Sequence, residues 1–183
     1  MALPLLITER LLLRQRHEND VPGILRMDLD PEVMRFLDGP RNDTVEHEKE
    51  VRTRIRKDFG PGLGYWSVFR RDRPDDFLGY ISLHKMPDYP EVELGYRFRR
   101  AAWGLGFATE AAAACLDHAF RTLGLAEVVA VVDPGNDGSL RVIEKLGFRA
   151  SGHRHVHRKD LLFYRLDRES YSSRGSIASP TRR

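Results

Sequence analysis

The amino-acid sequence predicts a mixed α/β domain, and three observations carry that prediction. First, residues 91–123 change period midway. Val92, Leu94, Tyr96 and Phe98 recur every second residue on one strand face, with Glu93, Gly95 and Arg97 on the other. From Ala108 onward, Ala111, Ala112, Cys115, Ala119, Phe120 and Leu123 recur at helical spacing until Gly124 stops them. Second, alternating strand-like runs flank this unit, at 65–70 and 77–84 upstream and at 153–157 and 161–167 downstream. Third, the elements run strands, helix, strand, helix, strands, an order that builds one mixed sheet.

In chain order, residues 5–14 read as a first strand. Asp20 opens a short helix reaching Leu29, and Asp30-Pro31 starts another, with an N-cap acid and proline in the first turn. Gly39-Pro40 is a break. Asp43-Thr44-Val45-Glu46 has capping-box spacing and opens a third, strongly charged helix ending near Phe59. The glycine-rich 60–64 is a loop, and the polar 71–76 joins two strands as a hairpin. Pro87 and Pro90 bracket a loop before the central strand. Residues 127–132 are β-branched and apolar throughout, which suits a buried strand beside the central one. A helix starts at Asp137 or Gly138 and ends at Leu146, capped by Gly147, after which Phe148 re-enters the core. The last two strands close a hairpin around Arg158-Lys159-Asp160. Residues 171–183 are polar and aperiodic, so a disordered tail is expected after a single domain over 1–170.

Bulk properties exclude several classes. A chain of 183 residues, 41% hydrophobic and 31% charged, fits one soluble globular domain. No run approaches the roughly twenty apolar residues of a membrane span, and the N-terminus lacks the basic region of a signal peptide. The net charge is only +3 and is scattered, without the basic stripe and interleaved aromatics of a nucleic-acid binder. The one cysteine, Cys115, falls on the apolar helical stripe, which excludes an internal disulfide and suits the reducing cytoplasm.

The turn Trp103-Gly104-Leu105-Gly106-Phe107-Ala108-Thr109 connects the central strand to the long helix. Its first-turn amides lack intrahelical acceptors and the helix dipole is positive there, so it suits an anionic phosphate. No lysine follows the glycines, which disfavours a P-loop. Thr109 stands where a dinucleotide fingerprint needs a small residue. Two glycines alone are a weak signal. Asn136-Asp137-Gly138-Ser139 and Glu144-Lys145-Leu146-Gly147-Phe148 downstream strengthen it.

With these segments the chain resembles the GNAT acyl-CoA N-acyltransferases, and more narrowly the branch that acetylates N-termini of ribosomal proteins. Thr8-Glu9-Arg10-Leu11-Leu12-Leu13-Arg14, Asp30-Pro31-Glu32-Val33-Met34-Arg35-Phe36-Leu37, Trp103 to Ala111 and Asn136 to Phe148 carry the resemblance, which spans roughly residues 5–170. It implies a mostly antiparallel central sheet flanked by helices and splayed at its central strands. It also implies acetyl-CoA as co-substrate without a metal, and acetyl transfer to a primary amine by direct attack in a ternary complex. The acceptor would be a protein N-terminus or a small amine. A homodimer through sheet edges is compatible with it.

Site residues follow from the resemblance. Gly95 sits in a strand interior, either as a tolerated small residue or as a bulge where a ligand runs close. The resemblance favours the second, with the amides of Leu94, Gly95 and Tyr96 holding the pantetheine arm and the thioester carbonyl. The turn amides from Trp103 to Thr109 take the pyrophosphate. Ala101 replaces the family's usual Arg or Gln, a place Arg99 or Arg100 can fill. Glu93 is the general base candidate, against a plain solvated glutamate, with Asp88 and Glu91 as fallbacks. Ser139 is the general acid candidate, against a helix cap, because Ile143 stands where many relatives carry a tyrosine. Asn136 is placed at the pantetheine amide or in an Asx turn, and Lys145 or Arg141 at the cofactor's phosphates. His153, His155 and His157 alternate on one face; without a carboxylate or cysteine at matching spacing they are expected to border the acceptor pocket rather than hold a metal. The departures at 101 and 143 leave a second reading open, a non-catalytic acyl-CoA- or partner-binding module.

Overall fold

A computed structural model describes residues 2–37, 39, 44–86, 88–156 and 158–173. Pro40, Asp43 of the expected capping box, Pro87, His157 and residues 174–183 of the expected tail lie outside the described residues.

The segment expected to be one first strand is a small hairpin, β1 (Leu6–Ile7) and β2 (Leu11–Gln15). Thr8 turns the chain: its N–H donates to Leu11 O at 3.0 Å, and its Oγ1 accepts from Leu11 N at 2.9 Å. Then come α1 (Val21–Asp28), α2 (Pro31–Met34) and α3 (Thr44–Arg56). The Asp30 carboxylate caps α2 by accepting from Glu32 N at 3.0 Å, as its position before Pro31 predicts. The third helix stops three residues before Phe59.

β3 (Gly64–Arg70) and β4 (Arg73–Lys85) are joined by Arg71-Asp72 alone. The start of β4 was hidden in the sequence because Arg73, Pro74 and Asp75 are exposed, so the strand reads there like a polar loop. The bulge in this region lies in the β3–β4 ladder at Val68/Phe69 and Phe69/Arg70. β5 (Val92–Phe98) leads to α4 (Phe107–Asp117), which widens into a π-helical turn at His118–Thr122. β6 (Glu127–Val132), α5 (Asp137–Leu146), β7 (Arg149–Val156), β8 (Lys159–Asp167) and α6 (Arg168–Ser173) complete the chain. α6 passes the boundary expected at residue 170: Tyr171 is buried, its ring 5.0 Å from Phe120 and its hydroxyl donating to Ala113 O at 3.1 Å.

The eight strands form one sheet in the order β1-β2-β3-β4-β5-β6-β8-β7, antiparallel at every junction except the parallel β5–β6 pair. Its two faces differ in chemistry. Leu11, Leu13, Trp66, Val68, Ile81, Leu83 and Leu94 pack beneath α4, where Ala111, Ala112, Ala113 and Ala119 let helix and sheet approach closely. Cys115 is fully buried in that layer.

The opposite face, beneath α1 to α3, carries polar cross-strand rows: Arg14, Ser67, Tyr80 and Arg97 in one, Tyr65, Ser82 and Gly95 in the next. Acids at the two ends of α1 neutralise part of it. Asp20 accepts from Arg14 Nη2 at 2.6 Å and Ser67 Oγ at 2.8 Å, while Asp28 meets Arg97 Nη1 at 2.7 Å and His47 Nε2 at 2.9 Å.

Candidate active site

β4 and β5 pair from Gly79↔Phe98 to Lys85↔Val92 without a register shift, but β5 meets β6 only at Glu93↔Val129. Past that pair the strands part. The cleft between them has a volume of about 600 Å³. Leu94, Gly95 and Tyr96 form one wall, Ala130 to Asp133 the other, and Asn136, Ser139 and Ile143 of α5 close one end. The other end opens onto the polar face beside Tyr65, Tyr80, His84 and Arg97 and the end of α3.

Glu93 stands where the strands diverge. It is 8% exposed, and its Oε2 is buried without a hydrogen-bond partner. Burial pushes the carboxyl up to about 7. A solvated glutamate is therefore not what the structure contains. The fallback acids are elsewhere: neither lines the cleft, Asp88 is exposed, and Glu91 is held by Arg165 at 3.1 Å and Arg154 at 3.6 Å.

Gly95 is explained by protein packing: a Cβ there would sit 2.9 Å from Ser82 Oγ. The unbroken β4–β5 register shows no bulge at Gly95, contrary to the expectation for this position. Ser139 does not cap α5. Asn136 does, its Oδ1 accepting from Ser139 N at 3.0 Å. Ser139 itself lines the cleft. Beside it, the Tyr96 hydroxyl donates to Ser139 O at 3.4 Å, and burial raises this phenol to about 12.

The turn from Trp103 to Thr109 lies beyond the C-terminal end of β5, outside the cleft lining. Trp103, Gly104, Leu105 and Gly106 are exposed, Ala108 and Thr109 half-buried and Phe107 buried. The two glycines take φ of 73° and 80°, and no atom lies within 4 Å of a Cβ built on Gly104. Of the turn amides expected to take the pyrophosphate, that of Trp103 is already used, donating to Arg100 O at 3.0 Å, and beyond the turn Glu110 N donates to Gly106 O at 3.1 Å.

Sequence reasoning missed the brace beneath this turn. Glu110 accepts from Thr8 Oγ1 at 2.5 Å, Arg10 N at 2.9 Å and Arg10 Nε at 2.7 Å, while Arg10 Nη1 donates to Leu105 O at 2.9 Å. Burial opposes ionisation of Glu110, but the Thr8 and Arg10 bonds prevail and hold its pKa below the ordinary value. Thr8 and Arg10 were part of the legible N-terminal segment; their partner a hundred residues away was not.

Several expected contacts are not assembled. Arg99 pairs with Asp76 at 2.6 Å and Arg100 with Asp30 at 3.2 Å, so both guanidiniums are turned to carboxylates. Lys145 and Arg141 are exposed on α5 and do not line the cleft. His153 and His155 are exposed on β7, away from the cleft that they were expected to border, with His155 Nδ1 2.8 Å from Asp160 Oδ1. Among the described residues no cluster suits a metal ion.

A splayed parallel junction, an open glycine turn at a helix start and a buried carboxylate between them match a known family. The model of the acetyltransferase (GNAT) domain matches residues 10–149. The chain belongs to the GNAT acetyltransferase family. Among its relatives, the uncharacterized protein YkkB of Bacillus subtilis (strain 168) is 32% identical over 170 residues, covering 91% of this chain and 96% of that one. The crystal structure of an acetyltransferase from Agrobacterium tumefaciens str. C58 superposes with a TM-score of 0.79 at 29% identity, covering 91% and 95%. A spermidine N-acetyltransferase from Vibrio cholerae, solved with CoA and spermine, shares the fold with a TM-score of 0.72 at 19% identity, covering 88% and 98%. Ile143, on the cleft-closing helix α5, is buried, 1% exposed.

Proposed function

We propose that this GNAT protein transfers the acetyl group of acetyl-CoA to a primary amine, by direct attack in a ternary complex. The observation that carries the reading is Glu93, a buried carboxylate whose Oε2 has no partner among the described residues, at the pair beyond which β5 and β6 separate. Such a group is costly to keep unless chemistry uses it. The residues present fit the co-substrate: an open turn of exposed glycines before α4 for the diphosphate, and a cleft along Leu94, Gly95 and Tyr96 for the pantetheine arm.

Acetyl-CoA supplies an activated thioester with a thiolate leaving group. Glu93 accepts a proton from the ammonium of the acceptor, directly or through water, freeing the nitrogen lone pair. An amide among Leu94, Gly95 and Tyr96 polarises the thioester carbonyl. The Ser139 hydroxyl, next to the Tyr96 phenol, gives a proton to the departing sulfur and regains one from the attacking nitrogen, which sheds it as the amide forms. The acceptor, a protein N-terminus as in the ribosomal-protein branch or a small amine, enters from the polar face beneath α1 to α3. A buried reduced Cys115 fits a cytoplasmic setting.

The decisive experiment is release of the coenzyme A thiol across a panel of primary amines, with Glu93→Gln and Ser139→Ala alongside. Wild type shows amine-dependent release that rises through a limb near pH 7 as Glu93 loses its proton. Glu93→Gln lowers kcat on the order of 10²- to 10⁴-fold and removes that limb. Stabilisation by coenzyme A without turnover of any amine makes the protein a binding module instead.

A further inference from the structure

Two charged groups on the polar face of the sheet, Glu93 and Arg16, lack an ion-pair partner among the described residues. Asp20 and Asp28 serve Arg14, Ser67, Arg97 and His47. Glu93 has no partner for Oε2. Arg16, just past β2, is 5% exposed, and its Nε and Nη2 are buried without a hydrogen bond. Its guanidinium lies between two aromatic rings, 4.3 Å from Tyr65 and 4.1 Å from Tyr80, and its main-chain N–H is fixed to Tyr65 O at 2.9 Å. Ring faces stabilise a guanidinium but do not replace an anion when it is withdrawn from water.

A recess of about 60 Å³ adjoins the main cleft and is lined by Arg16. The two share Arg54, Lys57, Asp58, Phe59 and Tyr65. Arg54 forms no ion pair among the described residues, and Asp58 Oδ1 is occupied by Gly60 N at 2.9 Å. Three cations, Arg16, Arg54 and Lys57, thus line with the one carboxylate of Asp58 a space that has room for a few water-sized groups. Tyr65 lies within electrostatic reach of Arg16, Arg54 and Glu93 together, so the two unanswered charges flank one phenol.

We propose that the acceptor is a zwitterionic small molecule, an amine that also bears a carboxylate, with its ammonium at Glu93 and its carboxylate in the recess lined by Arg16 and Arg54. This deepens the acetyl-transfer reading and rests on it. The same cations disfavour a polyamine, whose second ammonium in the recess would meet Arg16, Arg54 and Lys57 with Asp58 as the acid beside them. A carboxylate forked by guanidinium groups also fixes which nitrogen is presented to the thioester.

The test uses the full chain with acetyl-CoA and amines that differ only in the carboxylate: lysine against 1,5-diaminopentane, phenylalanine against phenethylamine, with spermidine as the polyamine. The carboxylated member of at least one pair has kcat/KM about tenfold or more above its counterpart, carried by KM. Arg16→Met and Arg54→Gln each abolish that ratio, raising KM for the carboxylated amine alone, while coenzyme A affinity by calorimetry is unchanged. Because Arg16 is buried, Arg54→Gln at the half-exposed end of α3 carries the test if Arg16→Met does not fold. Equal or better turnover of the plain amines or of spermidine, or a ratio that survives Arg54→Gln, overturns the proposal and leaves acetyl transfer standing. No turnover of any amine overturns both.

Discussion

At Glu93 burial and ionisation oppose each other. The folded carboxyl titrates near 7 and the unfolded one near its ordinary value, so the native state holds the extra proton between the two. Stability from this group is present at low pH and is lost as pH rises through that window. Denaturant unfolding at pH 5 and pH 8 should show wild type losing roughly 2–3 kcal/mol more than Glu93→Gln across the interval. Alternation in the sequence identified Glu93 as the acid opposite Val92 and Leu94. Its burial was not legible, because it depends on α1 to α3 covering that face. Gly95 teaches the converse: the sequence marks a special position, and the cause is Ser82 Oγ on the next strand. Gly95→Ala should destabilise by about 1–3 kcal/mol, and Ser82→Ala in the same chain should recover most of that loss in a double-mutant cycle.

Among the elements, α4 and its turn were the most legible and the least complete. Periodicity located the helix and the glycines located its start, since both are local properties. The Glu110 brace joins residues about a hundred positions apart, and nothing local records it. Glu110→Gln should cost about 1 kcal/mol, kept small by the half-exposed Arg10. The same variant should raise KM for acetyl-CoA several-fold with little change in kcat, as measured by initial rates, because it loosens the glycine turn proposed to take the diphosphate and leaves Glu93 in place. The π-helical end of the same element was also unread. There Leu123 N reaches back five residues to His118 O, and His118 is itself bound to Gly62 O at 3.0 Å and set edge-on to Trp66. A contact with a distant loop and strand thus coincides with the change of helix type.

Across the molecule, one sheet serves two purposes because its faces differ. The apolar face under the alanines of α4 holds the core, and runs of Leu, Val and Trp announced it. The polar face was legible only as strand residues of the wrong kind for a core: Arg14, Ser67, Tyr80 and Arg97 align only once the register is known. The functional cleft follows from that register and from the parting of two strands, a property of pairing that no single strand encodes. The seam has one further consequence. With a lone bridge at Glu93↔Val129, the ladder that joins the halves of the sheet on either side of it is nearly interrupted there. Amide deuterium uptake in solution should be faster across Leu94–Tyr96 than across Val128–Ala130, and coenzyme A should slow the first set selectively, since a ligand threaded through the gap would act as its missing rung.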